Sequence, residues 1–368
     1  MAPQLNPIYD RSIHLFENFE KGPRQLTQTE VGDVERLKRE IKELESRGAS
    51  TKRRILDKFE VSMPFGVSSG PAYGSKYLDI YNRLGYGFLT QKTVRDRKWE
   101  GNPMPHTTYL EGGSLEAGFT ASQGPTELVA NSFGMNSVAP EVWTRDLKSF
   151  KEQNPGAVLV MSGVVTQAHQ REDAISQYVE IGMKSEEIRA DAYEVNVSCP
   201  NEMEGRSNEL QDDTDFIVDV LGELTSKIKI PIFLKIGHRK DLTEFAKTTG
   251  KILDGRGALV AINSISAVIK NPDGSYKFGD KRPKAGVSYL PIADKAKESL
   301  AQLVKARQQS GYDFKIFSVG GVAKPEDVLE RLRMGADAVE SGAGAMTVPT
   351  LGLETRKYLL EQNLKGAF

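Results

Sequence analysis

The chain has 368 residues, 39% of them hydrophobic and 27% charged, which suits a water-soluble globular protein of one large domain or two ordinary ones. Its 49 basic and 50 acidic side chains nearly cancel, so no global field recruits nucleic acid. One cysteine excludes an internal disulfide, and the scattered His14, His106, His169 and His238 lack metal-ligand spacing, so no metal site is expected. No apolar run is long enough to span a membrane and no secretory signal opens the chain; the expectation is a cytoplasmic protein.

Residues 1–58 differ in character from the rest and are expected to form a helical extension to a domain over 59–368. Between residues 29 and 47 the chain is densely charged. Val31, Val34, Leu37, Ile41 and Leu44 recur there at spacings of three and four, one stripe of a helix. Such a stripe suits a surface helix packed on the main domain, or a contact helix for another subunit or an electron-accepting partner.

Beyond residue 58, eight short apolar runs alternate with amphipathic segments. The runs lie at 61–67, 87–93, 157–165, 192–198, 231–237, 258–264, 315–321 and 337–343. Parallel strands covered on both faces read as continuous apolar runs. Eight of them alternating with helices predict an α/β fold, a (β/α)8 TIM barrel. A doubly wound open sheet is the alternative, weakened because no GxGxxG follows the first run. Two connections are too long for ordinary loops, about 94–140 and 266–288. The second carries the turn signal Asn-Pro-Asp-Gly-Ser and predicts a hairpin. Both follow strands, so they are expected over the C-terminal mouth as lids or pocket walls.

Polar residues collect where these strands end. Lys92 closes the second run, Asn196 the fourth (followed by Cys199 and Asn201), and Asn263 and Ser264 the sixth, while Lys235 sits inside the fifth. A lysine in a buried strand is costly unless its ammonium finds a partner. Asparagine supplies donors and an acceptor, so this set predicts a ligand rich in carbonyls, ring nitrogens and a carboxylate. The seventh run ends in Gly320-Gly321 before a helix opened by Pro325, and Gly342-Ala343 follow the eighth. Glycines at these two positions of a barrel predict a phosphate site.

"EVNVSCPN" (194–201) resembles the catalytic loop of dihydroorotate dehydrogenases, flavin mononucleotide (FMN) enzymes of pyrimidine biosynthesis. "PFGVSSG" (64–70), "LTQK" (89–92), "EGNPMP" (100–105), "NSFGMN" (131–136), "FLKIG", "INSIS", "SVGG" and "GAGA" match the same family in order. The resemblance covers about residues 60–350 and implies oxidation of dihydroorotate to orotate. Cys199 would be the base, which places the chain with the soluble cysteine class rather than the membrane-associated serine class. Lys92, Asn131, Asn196, Asn201, Asn263 and Ser264, with backbone at Phe133, Gly134 and Met135, would hold the substrate. Ser68, Ser69, Gly70, Lys92, Asn196, Lys235 and Asn263 would touch the flavin, and Lys92 would be catalytic with Cys199, stabilising negative charge on the reduced cofactor. Gly286, Gly320, Gly321, Gly342 and Ala343 would line its ribityl phosphate. The resemblance also implies a homodimer, and fumarate or a separate electron-transfer subunit as acceptor. Three features depart from the pattern: Ala285 and Tyr289 replace glycines that often flank this segment, and His106 stands where GNPxP is followed by arginine.

Three other functions share parts of this pattern. A dihydropyrimidine oxidoreductase acting on uracil or thymine has a similar cysteine loop, but ordinarily works with iron–sulfur clusters that one cysteine cannot ligate. A tRNA dihydrouridine synthase joins an FMN barrel to a cysteine loop, but needs a basic surface. An FMN-binding sensor without turnover has no use for the cysteine.

Overall fold

A computed structural model describes residues 6–166, 170–198, 212–240 and 242–368. Two helices come first, α1 (Leu15–Lys21) and α2 (Gln28–Ser46). The start of α2 is set by a capping box: Thr27 Oγ1 accepts from Glu30 N at 3.2 Å, and Glu30 Oε2 accepts from Thr27 N at 2.7 Å. Its stripe of Val34, Leu37, Ile41 and Leu44 is buried, and the helix packs on the C-terminal helix of the same chain. The stripe therefore serves the main domain. Val31 departs from the expectation, at 47% exposure, because it lies in the first turn, before the stripe reaches its partner helix.

A hairpin of β1 (Arg53–Leu56) and β2 (Phe59–Val61) leads into the barrel. The barrel strands are β3 (Phe65–Val67), β4 (Leu89–Thr90), β8 (Leu159–Gly163), β9 (Ala192–Asn196), β10 (Ile232–Ile236), β11 (Gly257–Ala261), β14 (Lys315–Val319) and β15 (Ala338–Ser341). Each pairs in parallel with the next, and β15 pairs with β3 to close the ring. Seven of the eight predicted runs contain one of these strands and the sixth overlaps β11, which starts one residue earlier, all in the predicted order. Helices α3 (Ser75–Arg83), α4 (Pro140–Gln153), α5 (Arg171–Glu187), α6 (Thr214–Lys227), α7 (Leu242–Ile252), α8 (Ala293–Ser310) and α9 (Pro325–Arg333) follow the first seven strands in turn. The short α10 (Ala343–Thr347) and α11 (Leu351–Leu364) follow the eighth. The fold is a (β/α)8 TIM barrel. Strands β8 to β11 are buried at every position because helices cover the outside and side chains fill the inside. Among the described residues, no helix is long and apolar enough to cross a membrane.

The two long connections meet. The first supplies β5 (Thr107–Ser114), β6 (Gly118–Ser122) and β7 (Leu128–Asn131); the second supplies β12 (Ile265–Lys270) and β13 (Lys284–Tyr289), the expected hairpin. They join into one five-stranded sheet, in which β13 pairs with β7 and β12 with β6. Leu110, Phe119, Ile269, Phe278 and Val287 form its own small core. This sheet stands beside the mouth of the barrel and walls the site.

Candidate active site

The strand period of two turns alternate residues into the barrel. At the bottom, Phe59 rises from the β1–β2 hairpin and packs against Phe88, Phe233 and Phe317, with ring centroids 5.2–6.1 Å away. Above this aromatic plug lies a charged layer. Lys235 Nζ donates to Ser69 Oγ at 2.8 Å and stands 3.6 Å from Glu194 Oε2 and 3.9 Å from Glu340 Oε2. Ser162 Oγ donates to Glu194 Oε1 at 2.6 Å, and Thr90 Oγ1 to Glu340 Oε1 at 3.4 Å. Both carboxyl groups are fully buried. One ammonium faces two carboxylates, so burial pushes the Glu340 carboxyl up to about 8; Lys235 opposes the rise and Glu194 adds to it. The crowding of two buried carboxyl groups on one ammonium thus favours the protonated form of Glu340. Sequence reading found Lys235 but not the acids beneath it, which look like ordinary polar positions until the barrel closes.

The next layer opens into a cleft of about 1080 Å³ including its mouth. Of the expected site residues, Ser68, Ser69, Gly70, Lys92, Asn131, Phe133, Gly134, Met135, Asn196, Lys235, Asn263, Ser264, Gly320, Gly321, Gly342 and Ala343 all line it. Cys199 and Asn201 lie outside the described residues. Gly286 stands on β13 opposite Asn131, whose Nδ2 donates to its carbonyl at 3.2 Å; Ser288 and Tyr289 make the cleft wall on that strand.

The side chains at one end are held in place. Asn196 Nδ2 donates to Thr93 Oγ1 at 3.1 Å, and its Oδ1 accepts from Ser198 N at 3.2 Å. Asn263 Nδ2 donates to Ser198 O at 3.0 Å. Lys92 Nζ sits 5.8 Å above the Phe133 ring centroid and 4.0 Å from Met135 Sδ. Gly134 and Met135 have φ of 67° and 52°, so the loop turns sharply there and needs outside support. Trp99 Nε1 donates to Gly134 O at 3.1 Å, and the buried Arg95 Nε to Met135 O at 2.9 Å.

The other end is bare backbone. Gly320 and Gly321 have φ of 108° and 76°, a region side chains disfavour. Arg331, buried behind them, donates to Gly320 O at 2.6 Å and to Ser318 Oγ at 2.8 Å. It pins the loop from the α9 side. The sequence signal for it was an arginine on the apolar stripe of that helix, beside Val328 and Leu329. A β-carbon on Gly342 would stand 2.8 Å from Ser68 Oγ and would push that hydroxyl aside, so glycine keeps that corner of the cleft open. Tyr73, Thr93 and Thr107 also line the cleft and went unnoticed in sequence, and Tyr289, one of the departures from the family pattern, lines it with them. Tyr289 has a φ of 71° where the family often has glycine, and its ring closes the wall.

These two ends fit FMN. The glycine loops, free of side chains, suit a phosphate; Lys235 and Ser69 offer donors to a ring system, and the cleft has room for substrate beside it. No cluster of potential metal ligands occurs among the described residues.

Comparison with known proteins agrees. The dihydroorotate dehydrogenase family model matches residues 55–350. A dihydroorotate dehydrogenase of Dictyostelium discoideum is 26% identical over 96% of this chain and 97% of its own length. The catalytic subunit of a dihydroorotate dehydrogenase B (NAD(+)) from Lachnoclostridium phytofermentans is 27% identical, over 78% and 84%. A dihydroorotate dehydrogenase (quinone) from Polynucleobacter necessarius is 25% identical, over 79% and 80%. A family match over that span, on a (β/α)8 barrel, leaves one conclusion: the chain belongs to the dihydroorotate dehydrogenase family of FMN-dependent oxidoreductases.

Proposed function

We propose that this chain oxidises (S)-dihydroorotate to orotate, in the de novo route to pyrimidines, with Cys199 as the base that takes the C5 proton. The observation that carries this reading is the meeting, in one cleft, of the Lys92 ammonium with the amides of Asn131, Asn196 and Asn263, opposite the bare glycine loops. A ring of alternating N–H and C=O groups needs both donors and acceptors, which amides supply, and its carboxylate needs a cation. Asn201, two residues beyond Cys199, would complete the amide set. The chemistry the cofactor supplies when bound is acceptance of the hydride leaving C6 at flavin N5. The protein's task is to hold the substrate ring flat with the base on its open face. Lys235 fixes a positive charge at the cleft floor, where it favours negative charge developing above it. A thiol ordinarily loses its proton near ~8.5, so turnover should rise as pH rises toward that value.

We also propose fumarate, or a separate electron-transfer subunit, as acceptor, and a catalytic unit over residues 59–368 carrying 1–58 as an extension. The names of the relatives span NAD(+) and quinone acceptors, so turnover is to be measured with fumarate, NAD(+) and quinone in parallel. The base assignment is tested with Cys199→Ala. The variant should keep its flavin absorbance, yet bleach with dihydroorotate under anaerobic conditions ~10²–10⁴-fold more slowly than wild type. Bleaching at the wild-type rate removes Cys199 from the role. Bleaching of wild type by dihydrouracil and not by dihydroorotate changes the substrate.

A further inference from the structure

The residues before α2 are not a separate decoration of the barrel. Residues 6–9 run along the wall of the site, beside the cleft-lining Met346 of α10. Asn6 N donates to Thr347 O at 2.8 Å and Ile8 N to Met346 O at 3.2 Å, which ties the segment to α10, beside the glycine end of the cleft. Arg24 closes the strap on itself, donating to Pro7 O at 2.9 Å and Asn6 O at 2.7 Å while pairing with Glu30 at 2.7 Å. Asn18, fully buried, donates to Asp10 O at 2.7 Å and accepts from Tyr77 OH at 3.0 Å. The strap is thus fixed to the barrel at both ends.

Between those anchors Tyr9 is driven into the site's wall. It is 5% exposed. Its ring stacks on Tyr73 at 5.0 Å and meets Phe133 edge-on at 6.2 Å; both partners line the cleft. His106 closes the third side of Phe133, with centroids 5.0 Å apart, and His14 from the strap lies 4.8 Å from His106. Phe133 is the ring beneath the Lys92 ammonium. It also precedes the two left-handed residues of the loop, a conformation that persists only when its surroundings over-determine it. His106 supports this packing as a neutral ring: it is 1% exposed, its Nε2 lies 2.8 Å from Asn102 O, and burial holds its pKa down at about 4.

We propose that Tyr9 is a positioning residue: through Phe133 it sets the substrate loop and the place of Lys92, so that part of the substrate-binding apparatus is supplied by the N-terminal strap. This rests on the reading of the cleft as a dihydroorotate site. The aromatic pairs it makes are of a kind that contributes measurably beyond buried area, so their loss should weaken substrate binding about tenfold.

The test uses full-length holoenzyme. Orotate is titrated against the bound flavin's absorbance, and kcat and KM for dihydroorotate are measured for wild type, Tyr9→Phe, Tyr9→Leu and Tyr9→Ala. Expected is a roughly tenfold weaker orotate affinity and a matching rise in KM for the Leu and Ala variants, with FMN content and kcat near wild type and the Phe variant unchanged. Tyr9→Leu keeps most of the buried volume, so it answers the question if Tyr9→Ala does not fold. Folded Leu and Ala variants that bind orotate as wild type does overturn the positioning role. So does an equal loss in the Phe variant, since that would place the effect in the hydroxyl rather than the ring. A wild-type flavin spectrum indifferent to orotate and dihydroorotate instead overturns the substrate reading, and the inference with it.

Discussion

Gly321 offers the sharpest structural test of the glycine wall. An ideal β-carbon there would lie 2.4 Å from both the Cα and Cβ of Ala293 and 2.9 Å from its N, and φ is 76°. Ala293 is the first residue of α8, an 18-residue helix anchored by buried Leu300 and Leu303, so the neighbour cannot yield cheaply. Holding alanine in the left-handed region costs ~1–2 kcal/mol. Relieving the clash by a local backbone shift costs ~1–3 kcal/mol. Gly321→Ala should therefore forfeit roughly 2–5 kcal/mol, divided between stability and cofactor binding. If the loop keeps its place, the apoprotein unfolds at lower urea. If the loop moves, FMN affinity falls, ~30-fold for each 2 kcal/mol. Quenching of flavin fluorescence on binding gives the affinity, and urea unfolding of the apoprotein gives the stability. Gly222→Ala is the control. It sits on the exposed face of α6 with no atom within 4 Å of its β-carbon, and should stabilise by ~0.5–1 kcal/mol without changing FMN binding. A Gly321→Ala protein with wild-type FMN affinity within twofold and an unchanged urea midpoint would refute the reasoning, because it would mean the wall gives freely.

Two further outcomes follow from the interior of the barrel. Phe59→Ala removes the plug ring that touches Phe88, Phe233 and Phe317 and should cost about 3–5 kcal/mol, read in urea unfolding; a loss under 1 kcal/mol would show that the bottom layer repacks. The Glu340 carboxyl titrates higher in the fold than in the unfolded chain, so its contribution to stability is present at low pH and is lost as pH rises from the ordinary carboxylate range through about 8. Glu340→Gln should flatten that decline by a few kcal/mol, about 1.4 for each pH unit, when urea midpoints are compared from pH 5 to 9; an unchanged pH profile would show that Glu340 is not the group that titrates high.

Much of this architecture was legible in the sequence because the cues were local. Each barrel strand announced itself as a short apolar run, and its polar terminator lay at its end, as Asn196 does, or two residues on, as Lys92 does. The same locality explains the failures. Nothing near 107–131 or 265–289 says that the two insertions pair, since the register Gly286 to Asn131 joins residues 155 apart in sequence. Glu194 and Glu340 are far apart in sequence and become a pair only around Lys235. The partners of Arg331 and Tyr9 were hidden for the same reason: each acts through one loop it meets only after folding, although the place of Arg331 on an apolar helix stripe marked it as buried. Val31 fitted the spacing of its stripe but not the reach of its partner helix, which periodicity does not encode.

The closure of the barrel between β3 and β15 also sets an order of events during synthesis. Strand β3 leaves the ribosome early, but one of its edges has no partner until residues 338–341 have been made. The apolar stripe of α2 waits longer still, for the helix over 351–364. Until then the nascent chain carries an open strand edge and an uncovered greasy helix, both of which invite association with other chains. Products cut short before β15 should therefore accumulate as aggregates or chaperone clients rather than as soluble part-barrels, and quality control of this protein is in effect a check on whether residues 338–364 have arrived.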